Sequence, residues 1–365
     1  MKMGVKMRIY PTKEQEELLF YYCRAAHDMQ NFLVEKYQDG LPHTNSYGIV
    51  GYTPRDLMTD FGRNVPQRIA YGAMTQYVTA VNFAYKKVAN RPKFHKFNPN
   101  KQSFYVKSMK FKIIKGCIMC PTKKGFKMAS KNILVDKKYV EKFSIKEITE
   151  PRFSFLNGKW YLSGCYDVDE PQQKNVDNYI GLDWGVKKFI TTSDGKCINY
   201  PESVLRQYQR IRRLQSIRDK KKKGSKNTDK INVRLRSAFE RLENLKIDFI
   251  EKTTTDLCKN NNVVVENLSF TSYNSPSYIR RMYMIAPRVR FFNKLSWKCQ
   301  RFGTEYIVVD PMYTSQACCV CGLLHDLTLR DRVMVCECGN VMDRDINAAI
   351  NIRNAALAAT GVCCT

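Results

Sequence analysis

Three short runs of this chain end an apolar stretch on a carboxylate. In Tyr179-Ile180-Gly181-Leu182-Asp183-Trp184-Gly185-Val186-Lys187-Lys188 a strand-like run reaches Asp183, and a glycine follows two residues later. In Val263-Val264-Val265-Glu266-Asn267-Leu268 three β-branched residues lead directly into Glu266. In Asp343-Arg344-Asp345-Ile346-Asn347-Ala348-Ala349-Ile350-Asn351-Ile352 two acids open a pattern rich in Ala and Ile. Each acid alone has an ordinary explanation: a turn-capping Asp, a solvated strand end, a helix N-cap. Together, in a basic chain, they suit another. A carboxylate on a buried strand is costly unless a positive charge compensates it. Phosphodiester hydrolysis uses two divalent ions about 3.5–4 Å apart, activating water and stabilising the leaving oxygen. Hard oxygen ligands suit Mg²⁺. Asp183, Glu266 and either Asp343 or Asp345 are therefore candidate catalytic residues and ligands of two Mg²⁺ ions.

A second constellation is sulfur. Cys318-Cys319-Val320-Cys321-Gly322 and Cys336-Glu337-Cys338-Gly339 offer two thiolate pairs, each followed by a glycine that lets backbone amides turn toward the sulfurs. Cys318, Cys321, Cys336 and Cys338 are candidate ligands of one Zn²⁺ ion, with Cys319 as an alternative. Four thiolates leave no open position, so the role is structural. The other cysteines, among them Cys23, Cys165, Cys197, Cys258 and Cys299, have no ligand spacing and are expected in cores. Cys363 and Cys364 are expected in a frayed tail.

Lys and Arg number 61 against 34 Asp and Glu over 365 residues, a formal net charge of +27. Such a surplus repels itself unless the partner is a polyanion, and nucleic acid is the commonest. The charge concentrates in residues 206–246, with fifteen Lys or Arg against four acids. Arg210, Arg213, Lys220, Lys221, Lys222 and Lys223 are candidate phosphate contacts there. Phe83-Ala84-Tyr85-Lys86-Lys87 and Phe94-His95-Lys96-Phe97 interleave aromatic and basic residues, a mixture able to stack bases. Packing is the simpler expectation for Phe83.

The elements that must position these groups follow from periodicity. Residues 3–9 read as a strand, and Thr12 caps a helix beginning Lys13-Glu14-Gln15. Further helices are expected over 53–60 and 66–90. Short β-type runs at 104–106, 109–114, 133–135 and 152–155, with turns at Gly116, Gly125 and Asn157-Gly158, suggest a small antiparallel barrel interrupted by those helices. The polar linker Glu170-Pro171-Gln172-Gln173-Lys174 marks a boundary. Beyond it come three strands over 178–200, then a basic helical hairpin over 202–259 broken at Gly224-Ser225. In its first arm Leu205, Tyr208, Ile211, Leu214 and Ile217 form an apolar stripe. Strand 263–266, a helix near 286–302, strand 306–310 and a final helix near Asp345 complete the chain. No run approaches the length of a signal-peptide core or a membrane span. A reducing location is expected, in the cytoplasm with the nucleoid, or in the nucleus if the source is eukaryotic.

The order GLDWGVKKF, VVVENLS, cysteine knuckle, DRDINAAINI resembles the split RuvC nuclease of TnpB proteins, transposon-encoded relatives of type V CRISPR effectors. NRPKFHKF and Tyr313-Thr314-Ser315-Gln316 also fit. The Cys-x-Cys of the second pair departs from the usual Cys-x-x-Cys. The resemblance implies an α+β multidomain chain: a β-barrel domain (1–10 and 93–172), an inserted helical recognition domain (11–92), an RNase H-like RuvC domain (173–312 and 343–358) with a zinc-knuckle insertion (313–342), and a flexible tail (359–365). It selects Asp345 as the third catalytic acid. It implies a guide RNA from the transposon end and target double-stranded DNA as partners, with no membrane and no obligate protein partner. Gln76, Thr75, Tyr77 and Lys107 are candidate readers of a short duplex motif beside the target. Competing readings are a nuclease-inactive RNA-guided repressor, a zinc-ribbon transposase accessory, or a eukaryotic or viral Fanzor relative.

Overall fold

The computed structural model describes residues 1–45, 48–61, 65–121, 131–185, 188–267, 288–328 and 331–360. The turn expected at Gly125, the start of the helix expected at 286, and the tail from 361 with Cys363 and Cys364 lie outside the described residues. Contacts divide the chain into two units, Met1–Asp169 and Glu170–Thr365. Among the described residues no helix is long and apolar enough to cross a membrane.

The first unit runs β1 (Lys2–Tyr10), α1 (Lys13–Lys36), β2 (Thr44–Asn45), β3 (Gly48–Ile49), α2 (Pro54–Phe61), α3 (Gln67–Tyr85), β4 (Lys101–Tyr105), β5 (Lys110–Lys112), β6 (Cys117–Met119), β7 (Asn132–Val135), α4 (Lys137–Lys142), β8 (Glu147–Leu156) and β9 (Lys159–Asp167). Strand β1 alternates exposed and buried residues, with Met3, Val5, Met7 and Ile9 inward, as a one-face-buried strand must. Helix α1 starts on a capping box: the Thr12 hydroxyl accepts from the Gln15 N–H, and the Gln15 side chain accepts from the Thr12 N–H. Its aromatic face docks on the sheet, Phe20 lying 4.8 Å from Phe155 and 5.1 Å from Trp160.

The sheet order is β4-β8-β9-β1-β7-β6, with β5 also on β8, and all its pairs are antiparallel. Among the described residues the expected barrel is thus an open half-barrel, its end strands β4 and β6 unpaired with each other. Those end strands are short, five residues in β4 and three in β6. The hairpin at Asn157-Gly158 forms as expected, both residues at positive φ (49° and 79°), the conformation that Asn-Gly turns favour. Helix α3 stops at Tyr85 rather than near Asn90, because Lys87 turns to positive φ and ends the ladder.

The second unit runs β10 (Tyr179–Trp184), β11 (Ile190–Thr192), β12 (Cys197–Ile198), α5 (Glu202–Asp219), α6 (Lys226–Cys258), β13 (Asn262–Glu266), α7 (Arg288–Phe302), β14 (Tyr306–Val309), β15 (Val333–Val335), β16 (Val341–Asp343) and α8 (Arg344–Thr360). Its main sheet has the order β12-β11-β10-β13-β14, antiparallel through β12, β11 and β10, parallel from β10 to β13 to β14. Helices cover both faces of β13. Val263 and Val265 join a core that includes Ile250 and Leu257 of α6 and Phe291 and Leu295 of α7. Val264 packs on Ile352 and Ala356 of α8. A strand buried on both sides must be apolar throughout, which is why 263–265 reads Val-Val-Val.

Helix α8 reaches β10 through a gap that only glycine leaves. A Cβ on Gly181 would stand 2.0 Å from the Ala349 carbonyl oxygen and 2.7 Å from the Arg353 nitrogen. Backbone-to-backbone packing at this point carries the start of α8 toward the end of β10.

Candidate metal centres and nucleic-acid faces

Register brings two of the three acids side by side. Strands β10 and β13 are parallel, with Leu182 opposite Val265. Asp183 and Glu266, each the next residue, thus leave the same carboxyl edge of the sheet. The start of α8 supplies Asp345. Asp183 feels the other two acids: burial first, then repulsion from Glu266 and Asp345, pushes its carboxyl up to about 7, with Arg344 and Lys188 only partly opposing. Burial also raises Glu266, against the Thr314 hydroxyl and Arg288. The Thr314 hydroxyl donates to Glu266 Oε1. Negative charge is thus concentrated at one sheet edge, and the nearby Arg344, Lys188 and Arg288 offset it only in part.

Lys188 reaches it through an ion pair. Lys188 Nζ lies 2.7 Å from Asp343 Oδ2 and 3.3 Å from Asp345 Oδ2. The two acids of α8 differ in duty. Asp343 Oδ1 accepts from the N–H groups of Asp345 (2.9 Å) and Ile346 (3.3 Å), so it caps the helix. Burial works against its ionised form, but the Lys188 contact and the two N–H donors hold its carboxyl below the usual range. Asp345 makes no capping bond of this kind and is the acid coupled to Asp183.

The cysteine cluster closes on itself. Cys318, Cys321, Cys336 and Cys338 place their sulfurs within 4.8 Å of one another. Cys318 and Cys338 are 3.7 Å apart, Cys321 and Cys336 3.4 Å. Zn–S bonds of about 2.3 Å in a tetrahedron set sulfurs roughly 3.8 Å apart, so the donor set fits the ion. Gly322 and Gly339 follow at positive φ (77° and 89°), closing each turn. Burial would raise the Cys318 thiol, but the N–H groups of Cys321 and Val320 and the Asn340 amide outweigh it and bring it to about 6. Cys319, the alternative ligand, points elsewhere: its thiol meets Met342 Sδ at 3.6 Å.

Residues that motif reading did not single out tie the knuckle to the acids. Asn347 is fully buried; its side chain accepts from the Cys319 N–H (2.9 Å) and donates to the Ala317 carbonyl (2.7 Å). Asn351 donates to the carbonyls of Thr314 and Ala317, both at 2.8 Å. Asn347 and Asn351 stand four apart in DRDINAAINI, one helical face. That spacing was the available signal. Lys188 and Thr314 also lay inside quoted motifs, without a role that spacing alone could assign.

On the helical hairpin, Arg210, Arg213, Lys220, Lys221, Lys222 and Lys223 are all exposed. The stripe beneath is real except at its end. Leu205, Tyr208, Ile211 and Leu214 pack against Ile231, Leu235, Ala238 and Leu242 of α6. Ile217 is 43% exposed, because α5 ends two residues later.

In the first unit Gln76 lines a cavity. The Thr75 hydroxyl bonds back to the Tyr71 carbonyl. Tyr77 is 5% exposed and stacks on Tyr37, so it has little surface to offer a base. Lys107 pairs with Glu150 at 3.5 Å. Phe83 and Phe94 are exposed, contrary to the packing expected of Phe83. Of the cysteines expected in cores, Cys23, Cys258 and Cys299 are buried, Cys165 is half-buried and Cys197 is exposed.

Comparison with known proteins agrees with the resemblance. Residues 163–273 match the OrfB_IS605 family, described as "Probable transposase", and residues 289–352 match the "Cas12f1-like, TNB domain". A Streptomyces pristinaespiralis protein named "Putative RNA-guided DNA endonuclease" is 32% identical over 207 residues, 56% of this chain and 51% of that one. "TnpB-like protein L79" of Acanthamoeba polyphaga mimivirus is 28% identical over 191 residues, 48% of this chain and 36% of that one. The chain spans about half or less of the length of these curated relatives. A solved Cas12f1-sgRNA-target DNA complex contains a chain of the same fold, with TM-score 0.62 and 15% identity over 98% of this chain and 99% of that one. By these matches the chain resembles TnpB-like proteins and proteins named "Putative RNA-guided DNA endonuclease", over residues 163–273 and 289–352 in the family models.

Proposed function

We propose that this protein is an RNA-guided, Mg²⁺-dependent DNA endonuclease with an RNase H-like site of the RuvC kind. The observation that carries this reading is the convergence of Asp183, Glu266 and Asp345 on one sheet edge, where the register sets Asp183 beside Glu266 and both other acids press on Asp183. Carboxylates crowded against their own interest, with the middle one pushed toward neutrality, are what a divalent-cation site presents before its ions. Asp183, Glu266 and Asp345 would hold two Mg²⁺ ions, which supply a nucleophilic water and charge for the leaving oxygen when bound. The chain's own groups set the geometry. The sheet register fixes Asp183 beside Glu266, the Thr314 hydroxyl orients Glu266, and the cap from Asp343 fixes the backbone that carries Asp345. Lys188 holds Asp343 and Asp345 on one side by an ion pair.

Cys318, Cys321, Cys336 and Cys338 would hold one structural Zn²⁺ ion. Through Asn347 and Asn351 the knuckle then braces the first turns of α8. Exposed Lys and Arg of the α5–α6 hairpin suit the phosphates of a guide RNA and its target, and base pairing would supply the sequence specificity. The RNA-guided names of the relatives and the fold shared with a Cas12f1 chain support this division of labour.

The test is purification followed by RNA sequencing and programmed cleavage. One defined, structured RNA transcribed from beside the gene should copurify. Changing its guide segment should redirect cutting to the matching duplex. Equal cutting of any duplex without RNA would overturn the proposal.

A further inference from the structure

The first unit contains a cavity of about 390 Å³, inside the ~300–1,000 Å³ range of small-molecule sites. Four cations line it, Lys6, Lys96, Lys101 and Arg152, and among the described lining residues there is no Asp or Glu. Arg152 is the informative one. It is half-buried on β8, where burial presses against its charge. Among the described residues its partners are neutral: the Gln76 carboxamide, which accepts from its two terminal nitrogens at 2.8 and 3.1 Å when the amide oxygen is turned to them, and the Tyr105 ring at 5.6 Å. A guanidinium withdrawn from water without a carboxylate calls for an anion.

The rest of the wall is suited to a base. His95 and Phe97 supply aromatic surface, and burial and His27 hold the His95 imidazole below its usual range. Gln76 and Gln102 supply amides, and the Gln102 Oε1 is buried with no donor among the described residues. Cation, aromatic and amide in one concave space match a nucleotide rather than a bare phosphate. Duplex DNA shows its base edges only within grooves, which protruding side chains enter. A concave site takes a base only after it leaves the stack, the common mode for single-stranded RNA.

We propose that this cavity holds one unstacked nucleotide of a single-stranded RNA, its phosphate against Lys6, Lys101 and Arg152 and its base between the His95–Phe97 wall and the Gln76 and Gln102 amides. The site is independent of the carboxylates, so it stands or falls apart from the nuclease reading.

The test is fluorescence anisotropy of the full chain with 5′-fluorescein 12-mers of rA, rC, rG and rU and their DNA counterparts. A basic protein binds every polyanion somewhat, so preference among bases is the readout. The unsubstituted protein should prefer one RNA homopolymer by about threefold or more, as stacking and edge contacts allow. Lys6→Gln with Lys101→Gln, both exposed, should weaken that RNA about tenfold and erase the preference. Arg152→Gln should do the same if its melting curve shows it folded. Lys137→Gln with Lys138→Gln removes equal charge from α4 and should cost less than about twofold. Asp183→Ala should leave the preference intact. Equal losses in the two lysine pairs, the absence of any base preference, or tighter binding of the DNA 12-mers would each overturn the proposal.

Discussion

At the scale of single residues, Asp183 carries the most information. Its carboxyl sits near 7 because burial and two neighbouring carboxylates disfavour its charge. A group whose folded value is raised gives stability below its unfolded value and loses it as pH climbs to the folded one. Here that window runs from about 4 to about 7. Without divalent ions the protein should therefore lose about 2 kcal/mol of unfolding free energy between pH 5 and 7.5 relative to Asp183→Asn. Denaturant melts in EDTA measure this, and Mg²⁺ should abolish the difference by binding the ionised form. Parallel pH curves for the two proteins in EDTA would contradict the crowded-carboxylate site. The candidacy of Asp183, Glu266 and Asp345 could be read from three motifs, because acids at the ends of apolar runs are conspicuous. The separate duties of Asp343 and Asp345 could be argued from motif resemblance, but the cap itself is a matter of backbone direction. The role of Lys188 depends on an ion pair spanning more than 150 residues, which no local pattern records.

At the scale of elements, the site depends on how close α8 comes to β10. Gly181→Ala forces a Cβ into the Ala349 carbonyl, and the two elements must part. The expected cost is about 2–3 kcal/mol in stability together with loss of cleavage, though the acids remain present. Denaturant unfolding and a cleavage assay on the same preparation check it; unchanged stability would mean the contact is not a constraint. The cysteine knuckle is a second such element. Removing Zn²⁺ by chelation, or Cys321→Ser, should loosen residues 314–343 and the start of α8, because metal-binding energy is folding energy in a knuckle. Hydrogen exchange should speed up at Asn347 and its neighbours, and metal analysis should find one zinc per chain. Absence of zinc in folded protein would refute the assignment. Element types were largely legible, since Val263–Val265, the Thr12 cap and the Asn157-Gly158 turn are strong local signals. Closure was not: whether seven strands seal a barrel depends on pairing between distant edges, and among the described residues the end strands stay apart. Ile217 fits the helical period of its stripe, yet α5 stops before a partner can cover it.

At the scale of the whole molecule, the proposed function joined to a net charge of +27 predicts an affinity for nucleic acid that comes from many phosphate contacts and falls steeply with salt. Removing one carboxylate subtracts nothing attractive from that sum. Catalysis depends instead on ligands whose loss no other group replaces. Binding and cutting should therefore separate cleanly, and this separation is the most direct test. The measurement is RNA-programmed cleavage of a matched duplex in Mg²⁺, beside binding of the same duplex, for Asp183→Ala, Glu266→Ala, Asp345→Ala and Asp343→Ala. The first three should bind nearly as the unsubstituted protein does and cut at least about 10³-fold more slowly, roughly 4 kcal/mol of barrier. Asp343→Ala should keep much more activity and lose about 1 kcal/mol of stability with its cap. A dead Asp343→Ala beside an active Asp345→Ala would reverse the choice of third ligand, and four variants that all still cut would contradict the carboxylate site itself.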